Sequence, residues 1–87
     1  MSKTRITKRE LMDFIEWAFN QTDDNMSSYS NPKIAELYMR DTGRYISVST
    51  VRLNRDAWVK IDGKLVKLTP QNSELLAYHP TAEVLPF

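Results

Sequence analysis

Cysteine is absent from this 87-residue chain, which excludes disulfide frameworks, thiolate metal sites and cysteine nucleophiles together. Histidine occurs once, at His79 beside Pro80, so chemistry that needs two imidazoles has no residues to use. Glycine occurs only at Gly43 and Gly63, which excludes the glycine-rich loops that cradle phosphates and the strained turn that presents a catalytic serine. No apolar run approaches the roughly 20 residues of a membrane span. Neither sign of charge dominates: 12 basic residues face 11 acidic ones, for a net charge of +1. These absences predict a protein that is not an enzyme, needs no metal or cofactor, and does not enter a membrane. The first residues, Met-Ser-Lys-Thr-Arg, lead into an amphipathic stretch instead of the apolar block of a secretory signal. That points to a cytoplasmic protein.

What is present is enough for one small core. Hydrophobic residues make up 41% of the chain and aromatics 10%, too many for a disordered segment. The length allows a single domain, whose one core is marginal at this size. We assign residues 1–79 to that domain and residues 80–87 to a C-terminal tail. The distribution of charge says more than its total. Residues 1–39 carry a net charge of −1 and residues 69–87 carry −2, whereas residues 40–68 carry +4. The basic groups of that middle segment are Arg40, Arg44, Arg52, Arg55, Lys60, Lys64 and Lys67. A nearly neutral chain can therefore still present a basic face.

Local signals predict the order of elements. Thr7 and Glu10 form a T-x-x-E capping box, and Leu11, Phe14, Ile15, Ala18 and Phe19 follow at the spacing of a core-facing helix over 7–20. Met12 and Trp17 widen that stripe beyond what one side of a small domain readily covers. Leu11, Phe14, Trp17 and Phe19 are thus expected to lie in a homodimer contact or under the tail. Residues 20–31 read as a polar, mobile loop. Asn31-Pro32 starts a second helix over 32–42, with Ile34, Leu37 and Tyr38 inward and Gly43 as a left-handed cap. Ser47 caps a third helix over 47–57, with Ile46 and Val51 placed for a hydrophobic staple. In it Val51, Leu53, Ala57 and Trp58 form the apolar arc, interrupted by Thr50 and Asn54, while Val48, Ser49, Arg52, Arg55 and Asp56 lie on the opposite, solvent-facing arc. Asp62-Gly63 then signals a hairpin that pairs Ile61 with Lys64 and Val59 with Val66. Its apolar face, Val59, Ile61, Val66 and Leu68, is expected on the helices. Thr69-Pro70 caps a short fourth helix carrying Leu75 and Leu76 and stopped by Pro80.

Helix, loop, helix, tight turn, helix and hairpin is the order of a winged helix-turn-helix, an α+β fold. Its third helix is thin enough for the major groove of DNA, and lysines of its hairpin neutralise phosphate. On this reading Ser49, Arg52 and Arg55 face bases, and Lys60, Lys64 and Lys67 meet backbone. Double-stranded DNA is then the partner, and a small dimeric transcription regulator or repressor is the function.

The run Gly43-Arg-Tyr-Ile-Ser-Val-Ser-Thr-Val-Arg, with Trp58-Val-Lys-Ile and the hairpin after it, resembles the DNA-binding domain of the arginine repressors. In that family a "G-x-x-V-[ST]-x-x-T-V-x-R" run opens the recognition helix and "L-V-K-V" starts the wing. The resemblance covers about residues 31–68 and implies that Ser47 and Thr50 also belong to the DNA-binding set. Val48 falls where those repressors place a polar reading residue, and Leu53 where they place an arginine. The stretch from Val51 to the wing is about two residues shorter. An alternative function uses the same fold differently: a protein-binding adaptor or inhibitor of a host protein, of the kind phages encode. Its contact would be the acidic and apolar tail, through Val84, Leu85 and Phe87.

Overall fold

The computed structural model describes residues 6–69, 71, 74–79, 81–85 and 87. Helix α1 spans Lys8–Phe19, a 3-10 turn spans Met26–Ser28, α2 spans Asn31–Thr42 and α3 spans Val48–Asn54. Strands β1 (Trp58–Ile61) and β2 (Lys64–Lys67) follow, then a one-turn helix α4 (Leu75–Tyr78) and a two-residue strand β3 (Glu83–Val84). Three helices succeeded by an antiparallel hairpin make the α+β layout of a winged helix. No helix among the described residues is long and apolar enough to cross a membrane.

The helix starts follow their capping chemistry. At α1 the Glu10 amide donates to Thr7 Oγ1 at 3.1 Å and the Thr7 amide donates to Glu10 Oε1 at 3.0 Å, so two orphan donors are satisfied reciprocally. The Thr7 amide, and after it the Thr7 side chain, hold the Glu10 carboxyl below its ordinary value. This increment of stability is complete above the ordinary carboxylate range and is lost as the pH falls through the lowered value. Helix α2 begins one residue earlier than Asn-Pro suggested. Ser30 is its cap, accepting from the Lys33 amide at 3.3 Å, because the Asn31 side chain is committed elsewhere. Gly43 closes α2 at φ 74°, its amide donating to the Met39 carbonyl at 2.8 Å, as expected of a residue without a Cβ penalty.

Helix α3 stops at Asn54, three residues short of the expected end. Arg55 turns extended, Asp56 takes a left-handed φ of 56°, and the Asp56 amide donates to the Phe87 carbonyl at 2.7 Å. A long-range backbone bond, with no glycine to announce it, redirects the chain into β1. The packing of α3 also differs from its expected arc. Leu53 is 60% exposed whereas Asn54 is 5% exposed. Asn54 tolerates burial because both ends of its amide are satisfied. Its Nδ2 donates to the Thr50 carbonyl at 2.7 Å, and its Oδ1 accepts from the Trp58 indole at 2.9 Å. Asn54→Ala leaves that indole N–H unpaired in the core. It is expected to destabilise the fold by about 1–3 kcal/mol, seen as a lower urea midpoint at unchanged slope. An unchanged midpoint would show that the indole does not depend on this partner.

The hairpin has the expected register, with Val59 opposite Val66 and Ile61 opposite Lys64. Its turn residues Asp62 and Gly63 both have positive φ, 52° and 79°, the geometry of a turn that matches strand twist. Which face meets the helices is a correction. Trp58 and Leu65 join the main core, and Lys60 reaches Glu16 and the Phe19 ring on α1. Val59 is fully buried but lies outside that cluster, so β1 is covered on both faces. Alternation marks the more apolar face but does not reveal that the other is covered as well.

The segment set apart as a tail is part of the domain. Strand β3 pairs antiparallel with β1, giving a sheet of order β2-β1-β3. The Leu85 amide donates to the Trp58 carbonyl at 3.1 Å, and Leu85 and Phe87 are buried in the cluster built on Phe14, Ile15, Ala18, Ile34, Leu37, Tyr38 and Val51. The Phe87 ring meets Trp17 edge-on at 6.4 Å, within a group where Phe14, Trp17 and Tyr38 also contact one another. The wide apolar stripe of α1 is covered from within the chain. Pro70 and Pro80, read as the cap and stop of the fourth helix, lie outside the described residues, though a short helix does occur between them.

Candidate nucleic-acid interface

The candidate site is the solvent side of α3 with the turns on either side of it. Ser47 builds this helix: its Oγ accepts from the Thr50 amide at 3.1 Å and lies 2.7 Å from the Thr50 hydroxyl. Both hydroxyls, expected to touch DNA, are half-buried and engaged in the cap. Ile46 in front of the cap and Val51 behind it are both buried in the core, which sets the angle at which α3 leaves the α2–α3 turn. With Val51 and Asn54 inward, the exposed residues of α3 are Val48, Ser49, Arg52 and Leu53. Arg52 has no hydrogen-bond or ion-pair partner among the described residues.

Arg55 is not on that surface, which corrects its expected role. Its Nη1 donates to the Tyr29 carbonyl at 2.6 Å and to Asn31 Oδ1 at 3.0 Å, and its Nη2 donates to the Ser27 carbonyl at 3.0 Å. The guanidinium also stands 6.0 Å from the Phe87 ring centroid. It ties the segment before α2 to the end of α3 and to the C-terminal segment. The loop expected to be mobile is accordingly built. Asp23 accepts from the Asn25 amide at 2.9 Å and from the Tyr29 hydroxyl at 2.7 Å, and Met26 is buried. These bonds, that of the Asn25 amide first, hold the Asp23 carboxyl below its ordinary value. Asp23 thus anchors a hydrogen-bonded turn that leads into Met26.

The remaining basic residues divide in the same way. Arg44 donates from Nη1 to Asp13 Oδ2 at 2.6 Å, joining the α2–α3 turn to α1. Lys60 is half-buried, 3.2 Å from Glu16 Oε1 and 5.2 Å from the centroid of the Phe19 ring, so its stem covers apolar surface while its head pairs. Neither Arg55 nor Lys60 has its charge directed to an outside partner. Lys64 and Lys67, at the two ends of β2, are exposed.

Of the expected DNA-binding residues, the fold therefore leaves Ser49, Arg52, Lys64 and Lys67 at the surface. Of the expected dimer or partner contacts, Phe14, Leu85 and Phe87 are buried, and Leu11, Trp17 and Phe19 are half-buried against the same cluster. Val84 alone among them is exposed. Sequence reasoning missed two residues of the surface, Tyr45 in the α2–α3 turn at 76% exposure and Leu53 at 60%, whereas Val48, at 43%, lies on the outer arc as expected. For Leu53 only its departure from the repressor pattern hinted at this. No protein-family model, curated protein or solved structure matches this chain.

Proposed function

We propose that the protein is a small regulator that binds double-stranded DNA, with α3 in the major groove and the β1–β2 hairpin on the phosphate backbone. The observation that carries this reading is the exposed arc of α3, where Arg52 and Ser49 stand side by side without an ion-pair partner among the described residues. An arginine in that position has the fork geometry for the N7 and O6 acceptors of guanine. Lys64 at the hairpin turn supplies a point charge for phosphate, and the Tyr45 hydroxyl is exposed for a backbone contact of the kind that positions a protein on the duplex.

Two substitutions separate these roles. Arg52→Ala is expected to lower affinity for a selected site by about 1–3 kcal/mol and to relax preference at one base position. Lys64→Ala is expected to weaken binding to all sequences alike and to make the logarithmic salt slope shallower by about one unit. Both positions are exposed, so melting temperatures should stay close to that of the parent. A gel shift on pooled random duplexes at two salt concentrations is the direct test. No shift at the lower concentration overturns the reading.

Exposure of Tyr45, Val48 and Leu53 supports a second reading, in which the same side of α3 binds a protein. The version of that reading based on the tail loses its footing, because Leu85 and Phe87 belong to the core. Under the second reading duplex binding is absent, and binding of the partner is lost on Leu53→Asp.

A further inference from the structure

We infer that α3 reads thymine methyl groups on both sides of its arginine contact, so that the recognised site places thymines about a central guanine. This inference rests on the DNA-binding reading. At 100° per residue the exposed side chains fall across an arc of about 140° in the order Val48, Arg52, Ser49, Leu53. The polar pair occupies the middle and an apolar side chain stands at each edge. Protein-binding surfaces have the opposite plan, with a dry apolar centre inside a polar rim. The floor of the major groove suits the observed order, because it offers hydrogen-bond acceptors and donors along its base edges and, at thymine, an apolar C5 methyl.

Geometry limits how far this reading extends. A helix of seven residues is about 10 Å long, which matches roughly three base steps at 3.4 Å each. Arg52 follows Val48 by one helical turn, and Leu53 follows Ser49 by one turn. The two apolar side chains thus flank the arginine within one short stretch of groove. Val48 is 43% and Leu53 60% exposed, and the intramolecular packing that buries Val51 and Asn54 does not use them. A valine and a leucine cannot bond to a base, so a methyl group is the one groove feature that rewards them.

The test removes the methyl alone. A duplex is first selected from a random pool with the parent protein, and its thymines are replaced singly by deoxyuridine, which keeps the pairing and every hydrogen-bonding edge. Binding is followed by fluorescence anisotropy at fixed salt. Two positions should each lose about fourfold in affinity, the equivalent of one buried methyl or methylene group. Val48→Ala should abolish the sensitivity at one of them and Leu53→Ala at the other, while each variant keeps the melting temperature of the parent. A duplex that binds equally well after every replacement overturns the inference and leaves DNA binding standing. So does a loss that persists undiminished in both variants. Absence of salt-dependent binding to any duplex overturns the inference together with the function on which it rests.

Discussion

Phe87→Ala should destabilise the protein by about 3–5 kcal/mol, the range for emptying a large aromatic site in a core. A domain of this size has about 5–15 kcal/mol in all, so a substitution at Phe87 is expected to bring the fold close to its limit. The reason is the position of the ring. Phe87 is 1% exposed, meets Trp17 edge-on and has the Arg55 guanidinium 6.0 Å from its ring centroid. Its carbonyl meanwhile holds the Asp56 amide at the point where α3 gives way to β1. Alanine keeps that backbone bond, so the measured loss reports the ring itself. Thermal unfolding followed by circular dichroism reads it, at roughly 4–8 °C per kcal/mol. A melting temperature within two or three degrees of the parent would show that the C-terminal segment is a dispensable strap.

Arg55→Ala is expected to cost about 2–3 kcal/mol, the scale of hydrogen bonds made by a charged group. The effect should be spatially uneven. The guanidinium serves the Ser27 and Tyr29 carbonyls and the Asn31 side chain from two of its nitrogens, so its removal frees the segment leading into α2 before it frees anything else. Amide hydrogen exchange should accelerate through residues 21–30 while α1 stays protected. Arg55→Lys should not restore protection, because one ammonium cannot reproduce a planar fork that addresses three acceptors. Phe87 and Arg55 touch, so the double variant should be less destabilised than the sum of the two. If Arg55 instead contacted bases, Arg55→Ala would lose specificity for DNA at an unchanged melting temperature. That result would contradict the arrangement described above.

The elements that the amino-acid sequence determined by itself are those whose causes are local. Thr7 with Glu10, Ser47 with Thr50, Gly43 after α2 and Asp62-Gly63 between the strands each act within four residues. Their chemistry depends on neither neighbours in space nor the rest of the fold. Apolar spacing located the buried faces of α1 and α2 for the same reason, since a helix repeats every 3.6 residues wherever it lies. Hence the α+β class, the order of three helices and a hairpin, and the strand register were all legible. The candidate surface was legible in part: Ser49 and Arg52 lie on the outer arc of α3 under either account.

Tertiary structure alone decided which charges stay available and which apolar residues are spent. Arg55 and Arg52 are both arginines on the polar side of a short helix, and nothing within four residues distinguishes them. The distinction is made by carbonyls 26 and 28 residues away, which the chain brings to Arg55 only when α2 packs on α3. Lys60 likewise reads as a hairpin lysine until α1 presents Glu16 and Phe19 to it. Val84, Leu85 and Phe87 read as a tail because two short apolar stretches around a proline carry no period. They become a strand and a core plug when the open edge of β1 offers backbone partners and α1 offers an uncovered aromatic face. Leu53 leaves its expected place in the core for a related reason. The Trp58 indole needs an acceptor in the core, Asn54 one turn earlier supplies it, and Leu53 is thereby left facing solvent on the surface proposed for DNA.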